Sequence, residues 1–412
     1  MRNGENPVIL GNSKFSRLIT SLLSRFYAGI QIQRYVFSII WYEDIFFTEG
    51  FKEVNVFIYG NKEVQIIEYD CVSVRKKYAK LQRVNNTKNK LVISSLRLSV
   101  AMARTILSKD PANLDLFFQT GSSFFNIQSM VDSKEKNLCI STNIRGKVRD
   151  FSLTGRIGEL AQAINYLFVQ DFLNYPIVVD FDGYISKFSS TACYKGRAPD
   201  FIISQFGSTV VSILESKGSH PKDYDSNLKT VLKDGLEQCE NAKQFISCNN
   251  IPINVHRTFA SGVWFSSSNR PWDTTIGFSD PIEEKVTKKF DDRKLFRYHY
   301  ASWFSMLGLF DYSFQLISDE VLSLEKPLET FVHNDETYLI IDLYYPGFYY
   351  RSFYLHLYNY YGNIKFGISE KIWRLLTANN FENLKMEFKF TSFSGKGIEV
   401  FSDGTLVLHN EH

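Results

Sequence analysis

Residues 196–217 hold two strand-length apolar runs back to back, and that pairing constrains the fold more than any other stretch of the 412-residue chain. Gly196-Arg197-Ala198-Pro199-Asp200-Phe201-Ile202-Ile203-Ser204 reads as one strand, Gln205–Ser208 as a turn, and Thr209-Val210-Val211-Ser212-Ile213-Leu214-Glu215-Ser216-Lys217 as the next strand. Asp200 lies at the start of the first apolar run and Glu215 at the end of the second, so antiparallel pairing brings both carboxylates to the same end of a sheet. Strand side chains alternate, which puts Glu215 and Lys217 on one face and Leu214 on the other. Two carboxylates held close repel unless a cation joins them. An oxygen-lined site with room for water suits Mg²⁺ or Mn²⁺, and a lysine beside it can orient a water.

The flanking sequence supplies the elements such a hairpin needs on either side. In 155–168, apolar residues recur at Ile157, Leu160, Ile164, Leu167 and Phe168, a helical stripe with Glu159 off it. Pro176–Phe188, with Ile177-Val178-Val179 and an Asp182-Gly183 turn signal, is expected to form a strand before the hairpin. Leu228–Ile246 is expected to form the helix after it. The expected order is therefore one helix, three strands and a second helix, ending near Phe265.

Pro199-Asp200 on one strand and Glu215-Ser216-Lys217 on the next, in this setting, resembles the PD-(D/E)xK nuclease superfamily, over roughly residues 150–265. The resemblance implies an α/β (α+β) chain with a central restriction-endonuclease-like mixed sheet flanked by helices. It implies a metal-dependent nuclease, a phosphodiester hydrolase, with Asp200, Glu215 and Lys217 as catalytic residues. Mg²⁺ (or Mn²⁺) would be held by Asp200, Glu215, the Ser216 carbonyl and Glu159, the glutamate matching the one often carried on the preceding helix. The product would carry a 5′-phosphate and a 3′-hydroxyl, with DNA in preference to RNA as substrate. Gln238 stands where some members carry a glutamine, although those members place an aromatic four residues on and Ala242 stands here. Members with extra domains often serve restriction, phage defence, mobile elements or repair, and a DNA endonuclease of phage defence or restriction is the role the resemblance implies here. A nuclease fold kept as an inactive binding module, and a nuclease subunit active only with a partner protein, are the alternatives; a protein partner or a homo-oligomer is among the expected associations.

Context separates Glu215-Ser216-Lys217 from the other acidic-x-Lys triplets, Asp132-Ser133-Lys134, Glu283-Glu284-Lys285, Asp292-Arg293-Lys294 and Glu387-Phe388-Lys389. The first three lie in charge-rich stretches, and the last has no Pro-Asp strand before it. Asp180 and Asp182 are alternative ligands to Asp200, but turn chemistry accounts for Asp182. His220 is a candidate phosphate contact. The histidines show no zinc-hydrolase spacing, and no Walker loop, Gly-x-Gly-x-x-Gly or Gly-x-Ser-x-Gly appears.

Composition agrees with a globular chain: 44% hydrophobic and 22% charged residues, with 47 basic against 44 acidic side chains and a net charge of +3. Any polyanion-binding surface must then be local, and Val74–Lys90, rich in Lys and Arg without an acid, is one candidate. Five cysteines, at 71, 139, 193, 239 and 248, form no CxxC pair, which fits a reducing, cytoplasmic setting. No apolar run has the length of a signal-peptide core or a membrane span. Three units are expected: 1–145, an N-terminal α+β domain with a Val54–Ile67 hairpin; 146–285, the nuclease core; and 286–412, an aromatic-rich, β-containing domain. Leu91–Leu107 has helical character and 133–147 reads as a linker.

Overall fold

A computed structural model describes residues 60–71, 81–84, 89–113, 115–116, 119–120, 130–132, 134–142, 144, 150–187, 196–220, 226–267, 269–280, 293–320, 322, 329–341, 364–377, 388–395 and 397–409. β1 (Lys62–Cys71) carries β2 (Leu81–Arg83) and β3 (Asn89–Ile93) antiparallel along one edge. α1 (Ser95–Leu107) starts where the Ser94 hydroxyl accepts from the Arg97 amide at 3.1 Å, an N-cap for an otherwise orphan donor. The short β4 (Cys139–Ile140) precedes the long α2 (Asp150–Asp171).

Next come β5 (Ile177–Asp180), α3 (Phe181–Ser186), β6 (Phe201–Ser204), β7 (Val211–Ser219), α4 (Ser226–Cys248) and β8 (Val255–Trp264). β9 (Ser266–Ser267) pairs in parallel with β4, and β10 (Thr275–Ser279) pairs with β8. The result is a mixed, eight-stranded sheet in the order β2-β1-β10-β8-β7-β6-β5, with β3 also on β1. β6 is buried along its length and β7 over its first six residues, so both read as continuous apolar runs, as strands covered on both faces do. α2 and α4 provide that cover from opposite faces.

α5 (Arg293–Met306) and α6 (Phe310–Ile317) lead to β11 (Glu329–His333), β12 (Glu336–Ile341), β13 (Lys365–Ser369), α7 (Glu370–Thr377), β14 (Phe393–Gly395), β15 (Ile398–Val400) and β16 (Thr405–Leu408). Their strands form an antiparallel sheet ordered β11-β12-β13-β16-β15-β14. One apolar core joins the two sheets: Val64, Leu167, Ile276, Trp303, Phe366 and Val407 belong to the same cluster. Beside it, Arg104, His299 and Asp403 meet with no exposed side-chain surface. Among the described residues no helix is long and apolar enough to cross a membrane.

Several expected elements differ from those formed. Among the described residues of the expected Pro176–Phe188 strand, Ile177–Asp180 alone forms a strand, because the Asp180 carboxylate accepts from the Gly183 amide at 2.6 Å and starts α3. The strands expected at 196–204 and 209–217 run over 201–204 and 211–219. The start of the helix expected from Leu91 lies at Ser95, after β3. Near residue 145, the expected boundary separates strands of a single sheet, since β1 pairs in parallel with β10 from Gln65–Thr275 to Tyr69–Ser279. The boundary at 285 likewise separates segments that share the core. Val54–Tyr59, most of Val74–Lys90 and the aromatic run 343–350 lie outside the described residues.

Candidate active site

The β6–β7 ladder ends at the pair Phe201–Leu214, which makes Asp200 and Glu215 the next residues out on their strands. Both carboxylates therefore stand at one end of the sheet. The Ser216 amide donates to Asp200 Oδ2 at 2.8 Å, and Gln162 Nε2, from α2, donates to Oδ1 at the same distance. Glu215 is 1% exposed. Its Oε1 pairs with Lys217 Nζ, and its Oε2 accepts from Gln238 Nε2 of α4 at 2.8 Å. Gln238 Nε2 also donates to the Ala198 carbonyl, and Gln238 Oε1 accepts from Lys217 Nζ at 3.4 Å. The Lys217 side chain keeps 33% of its surface exposed, so the ammonium group borders solvent.

Two glycines let the helices come close enough for these contacts. A Cβ at Gly218 of β7 would lie 2.6 Å from Ala161 Cβ and 2.7 Å from the Ile157 carbonyl, both on α2. A Cβ at Gly235 of α4 would lie 3.0 Å from Ala260 Cβ and 3.3 Å from Glu215 Cγ. α2 thus reaches Asp200 and Ser216 from one face while α4 reaches Glu215 and Lys217 from the other, as strand alternation requires.

Burial dominates the electrostatics of the pair. Burial pushes the Asp200 carboxyl up to about 6, against the Ser216 amide, Lys217 and Gln162, which favour its charged form. Burial, then the neighbouring Asp200 charge, pushes Glu215 up to about 8 in spite of Lys217. A carboxyl at about 8 keeps its proton at neutral pH, so without a metal that proton and the Lys217 ammonium balance the two acids, and a bound divalent cation would take the proton's place. The available donors are all oxygen, two carboxylates and the Ser216 main chain, a set suited to Mg²⁺ or Mn²⁺. Among the described residues no three His, Cys, Asp or Glu side chains gather in a metal-holding group; this donor set contains two such side chains.

The structure thus brings together Asp200, Glu215, Ser216, Lys217 and Gln238 from the sequence-derived candidates. Glu159 lies on α2 one turn before Gln162 and is exposed, and Gln162 is the α2 residue that touches Asp200. Asp180 serves as the α3 cap and Asp182 is exposed in its first turn. The His220 ring approaches Ser267 Oγ at 2.7 Å, beyond the end of β7. Sequence reasoning missed Gln162 and Asn165. The available signal was a polar pair three residues apart beside the small Ala161, on a helix otherwise rich in apolar residues.

No family model matches the chain, and comparison with curated proteins and with solved structures finds no match.

Proposed function

We propose that the chain is a metal-dependent nuclease that hydrolyses phosphodiester bonds, in DNA rather than RNA, on a restriction-endonuclease-like core. The observation that carries this reading is the Asp200–Glu215 pair at one sheet end, which with the Ser216 main chain presents only oxygen donors, and the partly exposed Lys217 beside it. A scaffold has no physical need to hold two acids and an amine at one sheet end, where each carboxylate costs desolvation.

Asp200, Glu215 and the Ser216 carbonyl would hold Mg²⁺ or Mn²⁺; the exposed Glu159, one turn before Gln162 on α2, stands outside this set. The bound ion would supply positive charge for the pentavalent phosphate and the leaving oxygen. Lys217 Nζ, at the solvent border, donates hydrogen bonds and so positions the attacking water and the scissile phosphate's oxygens. Gln238 keeps Glu215 and Lys217 in register by bonding both. Water adds to phosphorus and gives up a proton to solvent, the bond to the 3′ oxygen breaks, and that oxygen takes a proton from solvent and leaves as a hydroxyl, with the phosphate retained on the 5′ side.

The test is cleavage of plasmid and single-stranded DNA in Mg²⁺, Mn²⁺ or EDTA by wild type, Glu215→Ala and Lys217→Ala at matched purity. Metal-dependent cutting by the wild type alone is expected. Cutting that survives in both variants, or in EDTA, would assign the activity elsewhere.

A further inference from the structure

We infer that Asn165 is a positioning residue that fixes the Ser216 main chain between the two side chains of the site; this rests on the nuclease reading above. Asn165 lies on α2 and is 0% exposed. Its Nδ2 donates to Ser216 Oγ at 2.6 Å, and its Oδ1 accepts from Ser261 Oγ at 2.6 Å. Ser216 of β7 and Ser261 of β8 are register partners in parallel strands, 6% and 1% exposed. One helix side chain thus bridges neighbouring strands at the residue that separates Glu215 from Lys217.

That residue is held at two further atoms' reach of the chemistry. The Ser216 amide donates to Asp200 Oδ2, and its carbonyl is the main-chain ligand the proposed metal set uses. Rotation of the peptide groups around Ser216 would swing the carbonyl, weaken the grip on Asp200 and redirect Glu215 and Lys217 together. The Ser216 hydroxyl, on the face opposite those two side chains, is the handle by which α2 prevents this. Gln238 restrains the site only from the α4 face. A buried network in which the Asn165 amide nitrogen and oxygen and both serine hydroxyls are each hydrogen-bonded favours one arrangement, because a displaced member loses its partner in a low-dielectric interior.

The experiment is a Mn²⁺ titration followed by electron paramagnetic resonance, with single-turnover DNA cleavage on the same samples, for Asn165→Leu, Ser216→Ala, their combination and Ser216→Thr. Asn165→Leu and Ser216→Ala are expected to weaken Mn²⁺ binding and lower kcat by about tenfold or more, the usual consequence of losing an outer contact to a metal ligand. KM for DNA should not change, the double variant should lose no more than either single one, and Ser216→Thr, which keeps the hydroxyl, should stay near wild type. Wild-type Mn²⁺ affinity and kcat in folded Ser216→Ala would overturn the inference, as would equal losses in Ser216→Ala and Ser216→Thr; both comparisons stand even if Asn165→Leu does not fold. Asp200→Ala separates the two readings. Loss of Mn²⁺ binding in Asp200→Ala but not in Ser216→Ala removes only the role of Asn165, whereas a wild type that binds no Mn²⁺ removes the nuclease reading as well.

Discussion

Asp200 and Ser216 are joined side chain to main chain, the Ser216 amide donating to Asp200 Oδ2 at 2.8 Å just beyond the last ladder pair of their strands. Asp200 therefore does two jobs, one for the fold and one for the proposed chemistry, and substitutions can separate them. Asp200→Asn keeps a side-chain oxygen for the amide and removes a half-buried negative charge beside Glu215. It is expected to melt at or above the wild-type temperature in the absence of metal. Asp200→Ala leaves the Ser216 amide and the Gln162 side chain short of an acceptor, at about 1–3 kcal/mol for a buried unsatisfied group, and is expected to melt below wild type. Equal melting of the two variants would show that this hydrogen bond does not support the fold.

Gly218 is where α2 rests on β7, and its missing side chain sets the distance from which Gln162 and Asn165 reach the site. Gly218→Ala puts a methyl against Ala161 and the Ile157 carbonyl, and is expected to lose about 1–3 kcal/mol, as overpacked cores do, together with most activity. Gly155→Ala, in the same helix with nothing within 4 Å of the new methyl, is the control. It is expected to gain up to about 1 kcal/mol from helix propensity. Urea unfolding of both variants checks the contrast, and a neutral Gly218→Ala would show that the close approach is not required.

Asp403 gives the protein a defined acid sensitivity. Burial alone would raise its carboxyl; the Arg104 guanidinium, then His299 and Thr405, outweigh burial and hold it well below the usual carboxylate range. Gln170 Nε2 also donates to Asp403 Oδ2 at 3.4 Å, and the buried Tyr300 hydroxyl donates to the Asp403 main-chain carbonyl. Because the folded state binds this proton more weakly than the unfolded chain, the contribution is complete above the ordinary value of 3.8 and is lost as pH falls further. His299 is held neutral by burial and by Arg104, so its contribution declines from its ordinary 6.5 downward in the same direction. Asp403→Asn is expected to cost about 3–5 kcal/mol by leaving Arg104 buried without its counter-charge, and to flatten the steepest acid limb of the stability curve. An unchanged acid limb in urea unfolding would contradict this.

The parts of the fold visible in the sequence are those set by local periodicity. The α2 stripe of Ile157, Leu160, Ile164, Leu167 and Phe168 is buried throughout, and alternation along β7 was enough to place Glu215 and Lys217 on one face. The helix around Gln238 was legible for the same reason. Residues 181–186 were not: an Asp-Gly pair signals a turn or a helix start equally well, and only the Asp180 contact to Gly183 decides between them. The pairing of β1 with β10 joins residues more than two hundred positions apart, and no local pattern encodes such a partner. Gln162 and Asn165 escaped notice because their importance depends on how closely α2 lies on β7, which Gly218 determines from a distant part of the chain.

The most direct measurement needs neither the DNA target nor a partner protein: the melting temperature of wild type and Asp200→Ala with Mg²⁺, Mn²⁺ or EDTA. A cation that binds only the folded state must raise its stability. A rise with either metal is expected for the wild type, reversed by EDTA and absent in Asp200→Ala. Equal shifts in the two proteins, or no shift in the wild type, would contradict a metal site at Asp200 and Glu215 and with it the catalytic reading.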